Sequence, residues 1–183
     1  VRDFQSGAEL ARYVIASLPV TALAFSPDGA NLAAATGNSK TTRTIRVPGL
    51  VMIRNVATGH VVRVLRGHDG GVSDLAYSPD GKSLAYRLAN GTLAVMNLAS
   101  GKERFRIEGR DSARHQSFAF RPDGTELAFV SGGRLCVVDS LTGKPKGKGP
   151  DAGPAPRQSV ALGYAEGRLL VAAESMKARG TYE

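Results

Sequence analysis

The sequence predicts an all-β fold of short antiparallel strands grouped in fours, and three observations predict it. One tight-turn signature is written three times, as "FSPDGANLAA", "YSPDGKSLAY" and "FRPDGTELAF". A second turn, Ser-Gly or Thr-Gly, recurs at Gly7, Gly59, Gly101 and Gly143, the last three spaced 42 residues apart. No stretch carries the 3.6-residue periodicity of an amphipathic helix.

The two landmarks keep one register. Gly7 to Pro27, Gly59 to Pro79 and Gly101 to Pro122 span 20, 20 and 21 residues. The return from the proline to the next glycine takes 22 and 21 residues in the later repeats and 32 in the first, so about ten residues are inserted there. In the first turn, Pro27, Pro79 and Pro122 preset φ at the first central position, and Asp28, Asp80 and Asp123 suit the second. Gly29, Gly81 and Gly124 then take the left-handed conformation that follows. "VTALAF" and "VSDLAY" lead into these turns, and "NLAAA", "SLAYRL" and "ELAFV" lead out, so each turn closes a β-hairpin. "TLAVMNL" and "ERFRIE" flank the Ser100-Gly101 turn as third and fourth strands. The latter alternates Phe105 and Ile107 with Arg104 and Arg106, the pattern of a strand with one wet face. "VVRVLR" fills the same slot one repeat earlier. Four strands at a fixed period point to blades of a β-propeller. An orthogonal sandwich is the alternative, but it requires no period.

With the strands placed, the chain resembles the WD-repeat (WD40-type) family of β-propellers, best over Leu65 to Lys102 and more weakly over nearly the whole chain. Gly67-His68 matches the family's glycine-histidine pair, "VSDLAYSPDG" its inner hairpin and "TLAVMNL" its third strand. The repeats are degenerate. The signature Trp-Asp pair falls at Arg54-Asn55, Met96-Asn97 and Val138-Asp139, and the chain has no tryptophan. The hydrogen-bonded tetrad that the resemblance implies has no partners near Tyr86, Ala89 and Met96, which leaves His68 as a turn residue. Apolar burial at about 25 cal/mol per Å² can hold neighbouring blades without it. Periplasmic Tol-type propellers use similar hairpins and are the alternative relatives.

The expected organisation is a propeller region over residues 1–183. It comprises a partial blade at 1–18, blades at about 20–68, 72–110 and 115–150, and a partial blade at 158–183. Because Val1 is not an initiator, the chain reads as a segment of a larger propeller of about seven or eight blades. A ring of four blades closed by its two ends is the alternative. An open segment with bare blade faces is expected to self-associate.

No constellation in the sequence points to catalysis, a cofactor or a metal. His60, His68 and His115 lie in different repeats without zinc spacing. Cys136, in "RLCVVD", reads as a small buried hydrophobe, and His115 with Ser117 lacks a third group. The stretch "TGKPKGKGPDAGPAP" replaces an expected fourth strand and lacks the features of a phosphate-binding loop. The single cysteine suits a reducing compartment, so a cytoplasmic location is expected, with a periplasmic one as alternative if targeting lies outside this sequence. No apolar run reaches the length of about 20 residues needed to cross a bilayer.

Net charge is +8, from 24 Lys and Arg against 16 Asp and Glu, spread along the chain as a solvated basic surface. With 6% aromatic residues there is little for base stacking, and nucleic acid is the disfavoured partner. The inserted loop carries Lys40, Arg43 and Arg46 and no acid, which suits an acidic partner. The expected function is therefore a non-catalytic scaffold or regulatory propeller binding a protein or peptide. The alternative is an accessory region of a multidomain enzyme or regulator, such as a bacterial kinase or transcription-factor fusion, with catalysis outside this chain.

Overall fold

The computed structural model describes residues 5–9, 12, 19–37, 49–68, 71–109, 118–131, 134–146, 160–165 and 168–173. These hold thirteen strands and no helix, so no helix among them is long and apolar enough to cross a membrane. The first sheet runs β1 (Val20–Phe25), β2 (Asn31–Thr36), β3 (Gly49–Asn55) and β4 (Val61–His68), in chain order. The second repeats that order with β5 (Val72–Tyr77), β6 (Ser83–Leu88), β7 (Leu93–Asn97) and β8 (Glu103–Ile107). The third holds β9 (Phe118–Phe120), β10 (Glu126–Ser131) and β11 (Arg134–Asp139). β12 (Val160–Ala165) and β13 (Arg168–Ala173) pair as the fourth. All pairings are antiparallel, and these are β-propeller blades.

The proline hairpins share one register. Phe25 faces Leu32, Tyr77 faces Leu84 and Phe120 faces Leu127. The repeat seen in the sequence is thus a repeat of cross-strand pairs.

The sheets stack through apolar clusters. Ala33, Ala35, Val51 and Ile53 of the first sheet pack against Leu75, Leu84, Tyr86 and Met96 of the second. Ala85, Leu93 and Val95 on the second sheet's other side meet Phe118, Leu127 and Phe129 of the third. Val130 and Leu135 of the third meet Leu162 and Leu169 of the fourth. The second, third and fourth sheets therefore each present a front face of bulky side chains to the sheet before, and at the first two junctions the rear face they meet carries smaller ones. The innermost strands β1 and β5 lie alongside each other, where the Thr21 hydroxyl donates to the Val72 carbonyl at 2.5 Å.

Because both faces of the second sheet are covered, every residue of β6 is buried, including Arg87 at 3% exposure. Its Nη1 donates to the Gly91 carbonyl at 3.1 Å and its Nη2 crosses to the Val130 carbonyl at 3.4 Å, tying second sheet to third. Burial pulls the guanidinium below its ordinary pKa, and the charge of Asp74 opposes this. The sequence did not single out Arg87. Cys136, expected to be buried, is half-buried at the margin of the cluster between the second and third sheets, its thiol 3.8 Å from the Arg134 carbonyl. Phe105 and Ile107 pack inward on β8. A fourth strand of the third sheet is started but not extended among the described residues: Pro145 bridges Val138, and the Lys146 amide donates to the Val137 carbonyl at 3.0 Å.

Candidate functional site

The site grows out of the proline turns. In the first, the Ser26 carbonyl accepts the Gly29 amide at 2.8 Å, with Pro27 and Asp28 between them and Gly29 at φ 70°. The Ser26 hydroxyl donates to Asp28 Oδ1 at 2.5 Å, and the same oxygen accepts the Ala30 amide at 3.0 Å. The second turn copies this with Ser78 to Asp80 at 2.6 Å and the Lys82 amide at 3.0 Å. In the third, Arg121 replaces the serine. Asp123 instead accepts from the Thr125 amide and hydroxyl at 2.9 and 2.7 Å, and its Oδ2 pairs with Arg121 Nε at 3.2 Å. The Ser26 and Ser78 hydroxyls hold Asp28 and Asp80 below the usual carboxylate range. For Asp123 the Thr125 amide is the largest cause.

The Ser-Gly and Thr-Gly turns are braced by the residue at the second position of the family's Trp-Asp pair. Asn55 Oδ1 accepts the Thr58 amide, Asn97 Oδ1 the Ser100 amide and Asp139 Oδ1 the Thr142 amide, each at 2.9 Å. The bracing survives in all three repeats although the tryptophan does not.

The proline turns sit as neighbours. Pro27 lies beside Gly81, and Pro79 beside Gly124: a Cβ on those glycines would come 3.6 and 3.9 Å from the two proline rings. Between the first two turns opens a groove of about 610 Å³. Ile53, Val62, Leu98 and Tyr77 give it apolar lining, and Asp28, Asp80 and Arg63 supply charge. The Tyr77 hydroxyl is a buried polar atom with no hydrogen-bond partner. Burial, then the charge of Asp28, push its pKa up to about 12. A groove so furnished offers a cation at Arg63 and carboxylates at Asp28 and Asp80 beside the buried Tyr77 hydroxyl, which suits an extended peptide.

The tyrosines give a prediction. Tyr86 is also pushed up to about 12, chiefly by burial and then by Glu103. A pKa raised on folding stabilises below the unfolded value of 10.0, and that stability is lost as pH climbs toward about 12. Alkaline unfolding is therefore expected between those limits. The Tyr77→Phe and Tyr86→Phe double variant moves its midpoint upward, as followed by tyrosinate absorbance alongside circular dichroism.

The structure brings Pro27, Asp28, Pro79, Asp80 and Gly81 together at the groove. Gly29 completes the first turn, while Pro122, Asp123 and Gly124 form the equivalent turn one sheet further on. Lys40, Arg43 and Arg46 lie outside the described residues, as do His115 and Ser117. His68, expected as a turn residue, is instead the last residue of β4, because the β3–β4 ladder runs on to pair it with Gly49. Sequence reasoning missed Arg63 and Tyr77. Arg63 lies in "VVRVLR" and Tyr77 in "VSDLAY", strands that the sequence marks without singling out either side chain. No signal in one strand tells that two turns will flank them. Among the described residues no three His, Cys, Asp or Glu side chains cluster as a metal site.

No curated protein matches the chain. Two stretches, residues 12–47 and 59–95, match the family model described as WD domain, G-beta repeat. The second match spans β4 to β7, an outer strand of one sheet and three strands of the next. With four-stranded antiparallel sheets beneath both matches and the turn-bracing Asn and Asp residues in place, these repeats belong to the WD-repeat family.

Proposed function

We propose that this chain is a non-catalytic interaction module that holds an extended segment of a protein partner in the groove between its first two proline turns. WD repeats generally mediate protein–protein interaction, which supplies the class. The observation that carries the finer reading is the buried Tyr77 hydroxyl, left without a partner beside an open groove flanked by two braced turns. A buried hydroxyl without a hydrogen bond costs about 1–3 kcal/mol, and a peptide carbonyl or side-chain acceptor would supply the missing bond. Arg63 supports an acidic or carbonyl-rich segment nearby, while Asp28 and Asp80 keep acceptor capacity for amides or a lysine. In the same reading the basic loop with Lys40, Arg43 and Arg46 adds an electrostatic contact to an acidic partner.

The test is selection of a displayed peptide library on the immobilised chain, followed by affinity measurement of the enriched peptides. Tyr77→Phe and Arg63→Glu are expected to weaken binding by about five-fold or more each, as loss of one buried hydrogen bond or charge contact dictates. The chain's circular dichroism should stay unchanged. Peptides that bind both variants as tightly as the parent would remove the groove from consideration. Charge reversal at Lys40, Arg43 and Arg46 in the same assay reads the loop's share through its salt dependence.

A further inference from the structure

The faces that pack sheet against sheet also occur where no sheet covers them. Leu75 of the second sheet and Phe118 of the third occupy the same repeat position, and each is 6% exposed because its front face meets the preceding sheet. Leu23 occupies that position in the first sheet and is 59% exposed, with Phe25 at 52% and Val20 at 48% beside it on β1. Leu32 and Ala34, further out on the same face, are already buried. On the two inner strands the uncovered surface is therefore confined to β1, while at the outer edge of the same face Val61 is 46% exposed.

The opposite end of the stack shows the complement. On β13 and β12, Leu170 and Gly163 are partners across the pair and take the rear positions held by Ala85 and Ala76 in the second sheet. Leu170 is 55% exposed, and a Cβ on Gly163 would meet nothing within 4 Å. Among the described residues this sheet has two strands.

We infer that a second copy of this chain docks front to rear: the rear of its β12–β13 pair covers Leu23 and Phe25 of the first copy. Every junction inside the molecule joins a front face to a rear face, and the two uncovered faces are one of each. Burying Leu23, Phe25 and Leu170 supplies a driving force of about 25 cal/mol per Å² of apolar surface. The contact is heterologous, so each copy keeps a free front and a free rear until a ring closes. Two copies contribute eight sheets, within the range of about four to eight blades that closed propellers use. This deepens the interaction-module reading by naming one partner, and it fails separately from the groove.

Sedimentation velocity and light scattering on the 183-residue chain test it. The parent is expected to associate with concentration toward multiples of 19.2 kDa. A front variant, Leu23→Glu with Phe25→Glu, and a rear variant, Leu170→Glu, change exposed positions and should stay folded by circular dichroism. Alone, each should lose association. Mixed in equal amounts, they retain one intact front and one intact rear, and should pair and stop at two copies. Pairing in the mixture with monomers in the separate samples supports the assignment. A monomeric parent overturns it. Single variants that associate like the parent, or folded variants that fail to pair when mixed, overturn it equally. Peptide capture dependent on Tyr77 and Arg63 should be unchanged in both variants, which keeps the two readings apart.

Discussion

Tyr86→Ala is expected to lower the unfolding free energy by about 3–5 kcal/mol, the range for removing a large aromatic from a core. Tyr86 is 1% exposed and heads the largest fully buried side chains of the described residues. It stands in the cluster between the first and second sheets, against positions held by Ala33, Ala35, Val51 and Ile53. Those small and branched side chains sit on rigid strands and cannot swing in to fill the space, so the cavity term is retained. Small domains hold only about 5–15 kcal/mol in reserve, so this single truncation takes a large fraction of it. Tyr86→Phe is the control. It keeps the ring and gives up a long bond from the hydroxyl to Glu103 Oε2 at 3.4 Å, costing about 1 kcal/mol or less. Urea denaturation resolves the two, provided the denaturant slope stays constant. An alanine variant within 1 kcal/mol of the parent, by the same scale, would mean that the first two sheets do not depend on this contact.

Gly49→Ala ranks second, at about 1–3 kcal/mol, for a reason that has nothing to do with backbone freedom. A Cβ at Gly49 would stand 2.7 Å from the Gly71 Cα, 2.9 Å from its carbonyl carbon and 3.0 Å from the Val72 nitrogen. All three are backbone atoms at the start of the second sheet, so neither side can give without moving a strand. Gly29→Ala makes the comparison: its Cβ would meet nothing within 4 Å, but its φ of 70° strains an L residue by about 1–2 kcal/mol. Thermal unfolding of both variants separates a packing cost from a conformational one. Only Gly49→Ala is expected also to loosen the contact between β1 and β5, read as faster amide exchange along Val72–Tyr77.

The hairpins were legible because their chemistry is local. Ser26, Pro27, Asp28 and Gly29 interact with one another, so four adjacent letters suffice to specify the turn. The period was legible for the same reason, with Asn55, Asn97 and Asp139 bracing the second turn three residues from their partners. What escaped depends on pairings between sheets. Arg87 looks like an outward charge on a half-wet strand until the third sheet covers it and Val130 accepts its bond. Tyr77 and Phe25 occupy one repeat position, yet one lines a groove and the other lies open, because only the second sheet has a described predecessor. Cys136 was placed by its apolar neighbours in the chain, and the cluster it touches covers it only in part.

The offset between β4–β7, the run matched as one repeat, and β5–β8, the layer it helps to build, has a consequence for how such a chain can grow or be cut. The run matched as one repeat is not the layer that folds. The matched run lends its first strand, β4, to the layer before it, so the two layers are hooked together like links rather than threaded like beads. A fragment cut at those boundaries would carry β4 away from its own layer and leave β5–β7 without their outer strand β8.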